Sequence, residues 1–171
     1  MIKTKKKIIL VFSVIVIIGF LIPQNLTMPV KGATKSDYNS ESFWFYPWGK
    51  SVTHKGVDIF ADKGTTVNSS TIGLVVHTGN NNIGGKIVVI LGPKWRLHYF
   101  AHLDKLETSS LTFVNRNSVI GTVGTSGNAY GKTPHLHYTI LTIIPYLWRI
   151  DSDKQGWKKI FYLNPISYLS S

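Results

Sequence analysis

A chain of 171 residues with 43% hydrophobic content is long enough for one domain with a real core, and too apolar to be disordered. It contains no cysteine, which excludes a disulfide framework, thiolate chemistry and a lipidated cysteine. Nineteen lysines and arginines against eight acids give a net charge of +11, which favours anionic envelope polymers or anionic lipid as partners. No RNA- or DNA-binding motif accompanies that charge, so nucleic acid is not expected.

The chain opens with MIKTKKK and then an apolar run of 15 residues, Ile8 to Ile22. A charged segment ahead of an apolar core is the export pattern, although a full hydrocarbon span wants about 20 apolar residues. Residues 1–23 therefore read as a signal peptide or membrane anchor. No clean pair of small residues marks a cleavage site, the nearest being Lys31-Gly32-Ala33, and this favours an uncleaved anchor. The leading lysines place the N-terminus in the cytoplasm and the domain on the outer side of the membrane, in the cell envelope, or exported if the segment is removed. Residues 24–42 are small and polar and read as a linker.

Residues 43–169 form the domain. FWFYPW (43–48) is read mainly as packing at its entrance. Short β-type runs follow near Val57–Phe60, Gly73–Thr78, Lys86–Leu91, Trp95–His102, Ser118–Val123 and His135–Ile143. Turn signals separate them at Gly79 to Asn82, Gly84-Gly85, Gly92-Pro93 and Gly124 to Gly131. The pattern predicts an all-β fold, a compact antiparallel sheet or sandwich. Trp157 to Leu169 is expected to close over the core.

Two motifs carry chemistry: H-x-x-x-D in THKGVDIF, and H-x-H in TPHLHYTI about eighty residues later. With no cysteine present, a zinc site has only imidazole and carboxylate to use. On a strand His135 and His137 share one face, roughly 7 Å apart, so one can reach a metal while the other stands beside it. His54 and Asp58 also share a face in extended chain, but they need a bend to meet at one ion, and Gly56 permits it. Together the motifs offer three protein ligands and an open fourth position, the form of a catalytic rather than a structural zinc site. No H-E-x-x-H helix supplies a glutamate base, so histidine is left to handle protons.

THKGVDIF, YFAHL, GTVGTSGNAYGKTPHLHY and the closing NPISYL resemble the lysostaphin-type zinc peptidases, LytM-domain endopeptidases that cut peptides in bacterial peptidoglycan. The resemblance runs over roughly 43–169. It implies that His54, Asp58 and His137 bind Zn2+ and that His102 and His135 are catalytic. It also implies a compact antiparallel β fold with a groove over the metal, acting on peptidoglycan peptides, read here as a monomer. Asn128 becomes a candidate substrate contact, His98 and His77 are left to structural or surface roles, and Tyr46 is the candidate for the tyrosine that stabilises the transition state in relatives. The alternative is a non-catalytic envelope module that regulates wall hydrolases or binds anionic wall polymers. Retention of all five motif residues favours the enzyme.

Overall fold

The computed structural model describes residues 2–169. A helix, α1 (Ile2–Leu21), leads into nine strands: β1 (Val57–Phe60), β2 (Thr66–Asn68), β3 (Gly73–Asn81), β4 (Gly85–Gly92), β5 (Arg96–Leu106), β6 (Phe113–Val114), β7 (Val119–Val123), β8 (His135–Thr142) and β9 (Tyr162–Leu163). One turn of helix, α2 (Ile166–Leu169), ends the described chain. All pairings are antiparallel, in the order β1-β8-β5-β4-β3-β6, with β9 on β8 and β7 bridging β2 to β5. This is the antiparallel β architecture expected from the sequence. The short strands β2, β6 and β9 carry too few residues to show an alternation and were not anticipated. Gly79 to Asn81, expected as a turn, instead continue β3 and pair with Ile87, Lys86 and Gly85 of β4, so the hairpin turns later, after Asn81.

Alternation sets the two faces. Val57 and Ile59, His98 and Phe100, and Leu136, Tyr138 and Ile140 point to one side and are buried. Asp58, Tyr99, Ala101, His135 and His137 point to the other side, where they line a groove. Val67, Val88, Ile90, Leu103 and Ile120 complete the core, and Leu163 and Ile166 cover it from the C-terminal segment.

Residues 24–42 do not hang free as a linker. Val30 is 1% exposed and packs with Leu26, Met28 and Ala33 against the core. Thr27 N donates to Ser70 O (3.0 Å), Lys31 N to Thr66 O (3.0 Å), and Pro29 O accepts from Asn68 N (2.8 Å). The backbone of this polar stretch is thus paired like an edge strand, which composition does not reveal.

α1 is exposed along Ile8 to Ile18 except at Val16, and it meets the domain only near its end. Trp95 Nε1 donates to Val16 O (2.9 Å) and Lys94 Nζ to Phe20 O (3.2 Å). Among the described residues, no helix is long and apolar enough to cross a membrane.

His98 lies fully buried behind the sheet. Its Nδ1 is 2.7 Å from Tyr138 Oη, which is 2.7 Å from Ser70 Oγ, and its Nε2 is 3.0 Å from Gln24 Nε2. Burial, aided by the Arg96 charge, lowers its pKa to about 3. The unfolded chain titrates near 6.5, so it takes up protons first as pH falls. The stability owed to neutral His98 is therefore full above about pH 6.5 and is lost as pH falls toward 3. Urea denaturation of His98→Gln should show a shallower loss of stability between pH 7 and 4 than the parent chain. Removing residues 1–33 should lower the denaturation midpoint relative to a chain starting at residue 24. Each buried aliphatic lost contributes about 1.5–3 kcal/mol, and an unchanged midpoint would return this segment to the status of a linker.

Candidate metal centre and active-site groove

The register of β1 on β8 places Asp58 opposite His137, and β8 on β5 places His137 opposite Ala101. His54 reaches the same point from the bend ahead of β1. His54 Nε2 lies 3.1 Å from Asp58 Oδ1 and 3.1 Å from His137 Nδ1, and His137 Nδ1 lies 2.7 Å from Asp58 Oδ1. Ligands about 2.0–2.1 Å from a tetrahedral ion sit about 3.3 Å from one another. Three atoms at 2.7–3.1 Å, two imidazole nitrogens and a carboxylate oxygen, match the edge of such a site and could hold a metal ion.

Gly56 makes the convergence possible, though not through an unusual φ. A Cβ there would meet Tyr138 O, Thr139 Oγ1 and, at 2.9 Å, His137 Cε1. The bend presses against β8, and only glycine fits.

Carbonyl oxygens orient the imidazoles. A carbonyl only accepts, so a ring nitrogen bonded to one must carry the proton and the other nitrogen keeps its lone pair. His54 Nδ1 donates to Ser42 O (3.0 Å), His102 Nδ1 to Ser126 O (2.9 Å) and His135 Nδ1 to Thr133 O (2.8 Å). In each case Nε2 is left bare. His137 is reversed: its Nε2 shares a hydrogen bond with Thr139 Oγ1 (3.0 Å), and its Nδ1 faces the cluster. Partners of this kind fix the ring and tautomer of metal-ligating histidines. Trp48 stacks on the outer face of His54 at 4.2 Å between centroids.

His102 arrives by a route that alternation does not predict. With His98 facing the core, strict period two would send His102 there too. Between Phe100 and Leu103, however, β5 carries an extra residue relative to β4, and His102 takes φ 63°. This bulge puts Ala101 and His102 both on the groove side and lets Leu103 return to the core. It is also where β5 changes partner, from β8 (Arg96 to Ala101) to β7 (Leu103 to Leu106). The His102 and His135 rings stand 5.0 Å apart, and His135 Nε2 is 4.0 Å from Asp58 Oδ2.

The groove holds about 510 Å³. Asp58 is pushed up by burial, but the adjoining His137 and His54 imidazoles outweigh this and hold its carboxyl below the usual range. Burial depresses the His137 pKa against the opposing pull of Asp58. Burial, and then the neighbouring His137 and His135, lower His102 to about 4, so it is neutral near pH 7 and able to take a proton. Asn128 lines the groove. Tyr46 is 54% exposed under Lys154 and is not part of the lining; the tyrosine on the groove wall is Tyr99. Only the strand pairing could have revealed Tyr99, which shares a face with Ala101. His77 is exposed on β3.

Residues 52–146, more than half of the chain, match the family described as Peptidase family M23. The chain belongs to Peptidase family M23. It is 38% identical over 113 residues to the L-Ala–D-Glu endopeptidase of Bacillus subtilis (strain 168), covering 61% of this chain and 35% of that protein. It is 33% identical over 96 residues to lysostaphin of Staphylococcus simulans, covering 54% of this chain and 19% of that protein. The chain thus matches about a third or less of the length of these curated relatives. The catalytic domain of the antimicrobial peptidase lysostaphin from Staphylococcus simulans superposes with a TM-score of 0.62 at 25% identity, over 80% of this chain and 95% of that one. A zinc containing peptidase from Vibrio cholerae superposes with a TM-score of 0.56 at 27% identity, over 68% and 36%. The M23 match spans all five motif residues, from His54 to His137.

Two substitutions test this construction. Gly56→Ala should push His54 away from Asp58 and cost about 1–3 kcal/mol of stability; calorimetric metal titration should show weakened binding. His102→Gly should be more stable than His102→Ala by about 1 kcal/mol, because only glycine occupies the left-handed region without penalty. Equal stability of the two would remove the argument for strain at the bulge.

Proposed function

We propose that this chain is a zinc-dependent endopeptidase that hydrolyses peptide bonds in bacterial peptidoglycan. The carrying observation is the convergence of His54, Asp58 and His137 beside a second histidine pair in an open groove. Peptidase relatives in Peptidase family M23 support the reading. Their names differ in the bond cut, from L-Ala–D-Glu in Bacillus subtilis to glycyl-glycine in Staphylococcus capitis.

His54 Nε2, Asp58 Oδ1 and His137 Nδ1 hold the metal. Zinc, when bound there, supplies a Lewis acid that polarises a peptide carbonyl and lowers the pKa of water. His102 and His135 present bare Nε2 atoms to the groove, each anchored by its Nδ1–H. One takes a proton from the attacking water. That proton then passes to the leaving amine, and the other histidine serves as donor to the developing oxyanion in its imidazolium form, with Nε2 protonated as well as Nδ1. His102 is neutral near pH 7, and the 5.0 Å spacing of the two rings lets both reach one reacting group. Trp48 and Phe60 pack beside the rings of His54 and His135 respectively.

The domain is placed in the cell envelope, outside the cytoplasmic membrane, acting as a monomer. The N-terminal segment attaches it there: a helix with lysines in its first turns and an exposed apolar run after them, with residues 24–33 built into the fold rather than left for removal.

Purified protein should clear peptidoglycan in a zymogram, lose that activity to a chelator and regain it with zinc. His102→Ala or His135→Ala should reduce turnover at least about 100-fold while bound zinc, measured by elemental analysis, stays stoichiometric. His54→Ala or Asp58→Ala should lose the metal. Clearing that survives chelation, or zinc lost from the His102 or His135 variant, would overturn the assignment.

A further inference from the structure

Two walls enclose the groove. Segment 47–51 forms one: Trp48 stacks on His54, and the turn at Gly49–Ser51 carries Lys50. Ile83, Gly84 and the loop 124–134 form the other, which carries Lys132. This second wall is pinned. Asn128 N donates to Ile83 O (3.0 Å), Ser126 Oγ accepts from Lys86 N (2.9 Å) and donates to Leu103 O (2.7 Å), and Lys132 N donates to Ala129 O (3.0 Å). Gly85 and Gly127, both at positive φ, touch backbone to backbone where no Cβ fits. Lys132 therefore projects from fixed backbone.

The charges in the groove are one-sided. Among the described residues that line it, Asp58 is the only acid, and its carboxylate is taken by His54 and His137. Lys50 and Lys132 are exposed, and among the described residues their ammonium groups have no ion-pair or hydrogen-bond partner. Trp48, Phe60, Ile83 and Tyr99 line the same groove and offer apolar surface. A glycine bridge has neither a charge for the lysines nor a side chain for the apolar surface. A peptide with a carboxylate next to the scissile bond and aliphatic side chains uses both.

We propose that Lys50 and Lys132 select wall peptides that carry a free carboxylate beside the scissile bond, and that the groove discriminates against neutral glycine bridges. The inference deepens the endopeptidase reading and rests on it for its cleavage arm. Two exposed rim charges support a preference of about fivefold to tenfold, weakening as salt rises.

The test uses the full chain loaded with zinc and three synthetic peptides: one with a free carboxylate beside the scissile bond, its carboxamide counterpart, and pentaglycine. Cleavage is followed by mass spectrometry and binding by calorimetry. The free acid should be favoured over the carboxamide about fivefold to tenfold, mainly through KM, and the ratio should fall toward one in Lys50→Gln/Lys132→Gln and in 0.5 M salt. Lys132→Glu should invert it. Cleavage of acid and amide at equal rates, a ratio that survives in the double variant, or preferred cleavage of pentaglycine would overturn the selectivity and leave the endopeptidase reading standing. Preferential binding of the acid without cleavage of any peptide would uphold the selectivity and sink the peptidase. If no peptide is bound or cleaved, both fail.

Discussion

The pairing of β1 with β8 is the constraint on which the site depends. Asp58 stands opposite His137, and a slip of one residue would turn one of them into the core. The register is enforced from the buried side, where Val57, Ile59, Leu136 and Tyr138 must stay out of water. Burial of those apolar residues thus holds Asp58 and His137 in place on the opposite face. The stabilising face and the chemical face are the same strands read at alternate positions, and Gly56 lets the chain bend close enough for His54 to join them.

His102 obeys a different rule. It sits where β5 leaves β8 for β7, and the gap between those two strands gives the loop 124–134 room to leave and return. A bulge with a left-handed histidine is costly in isolation, about 1–2 kcal/mol. It is held by the ladder on both sides and by the hydrogen bond to Ser126 O. The same loop pins the wall that carries Lys132, so His102 and the groove rim share one support.

Backbone carbonyls determine the chemistry of the imidazoles more directly than charges do. Ser42, Ser126 and Thr133 each accept from an Nδ1–H, so His54, His102 and His135 all turn Nε2 inward, while Thr139 reverses His137. Ser42 lies at the end of the N-terminal stretch that packs Val30 into the core. The segment between α1 and the domain therefore bears on a proposed metal ligand as well as on stability.

The sequence by itself determined the β class, six of the nine strands to within a few residues, and the residue types needed for a metal site. Those depend on short-range patterns: alternation, turn residues and the spacing of His54 to Asp58 and of His135 to His137. Their resemblance to a known family also named His102, but no local pattern explains its direction, since alternation points it into the core beside His98. Long-range pairing decided the rest. It brought side chains from chain positions 54, 58 and 137 to within about 3 Å, and paired the backbone of residues 27–31 along the domain. It left Tyr46 outside the groove and put Tyr99 on its wall. A one-dimensional pattern shows which face a residue prefers, but which faces meet is set by partners distant in the chain, and only the folded sheet supplies them.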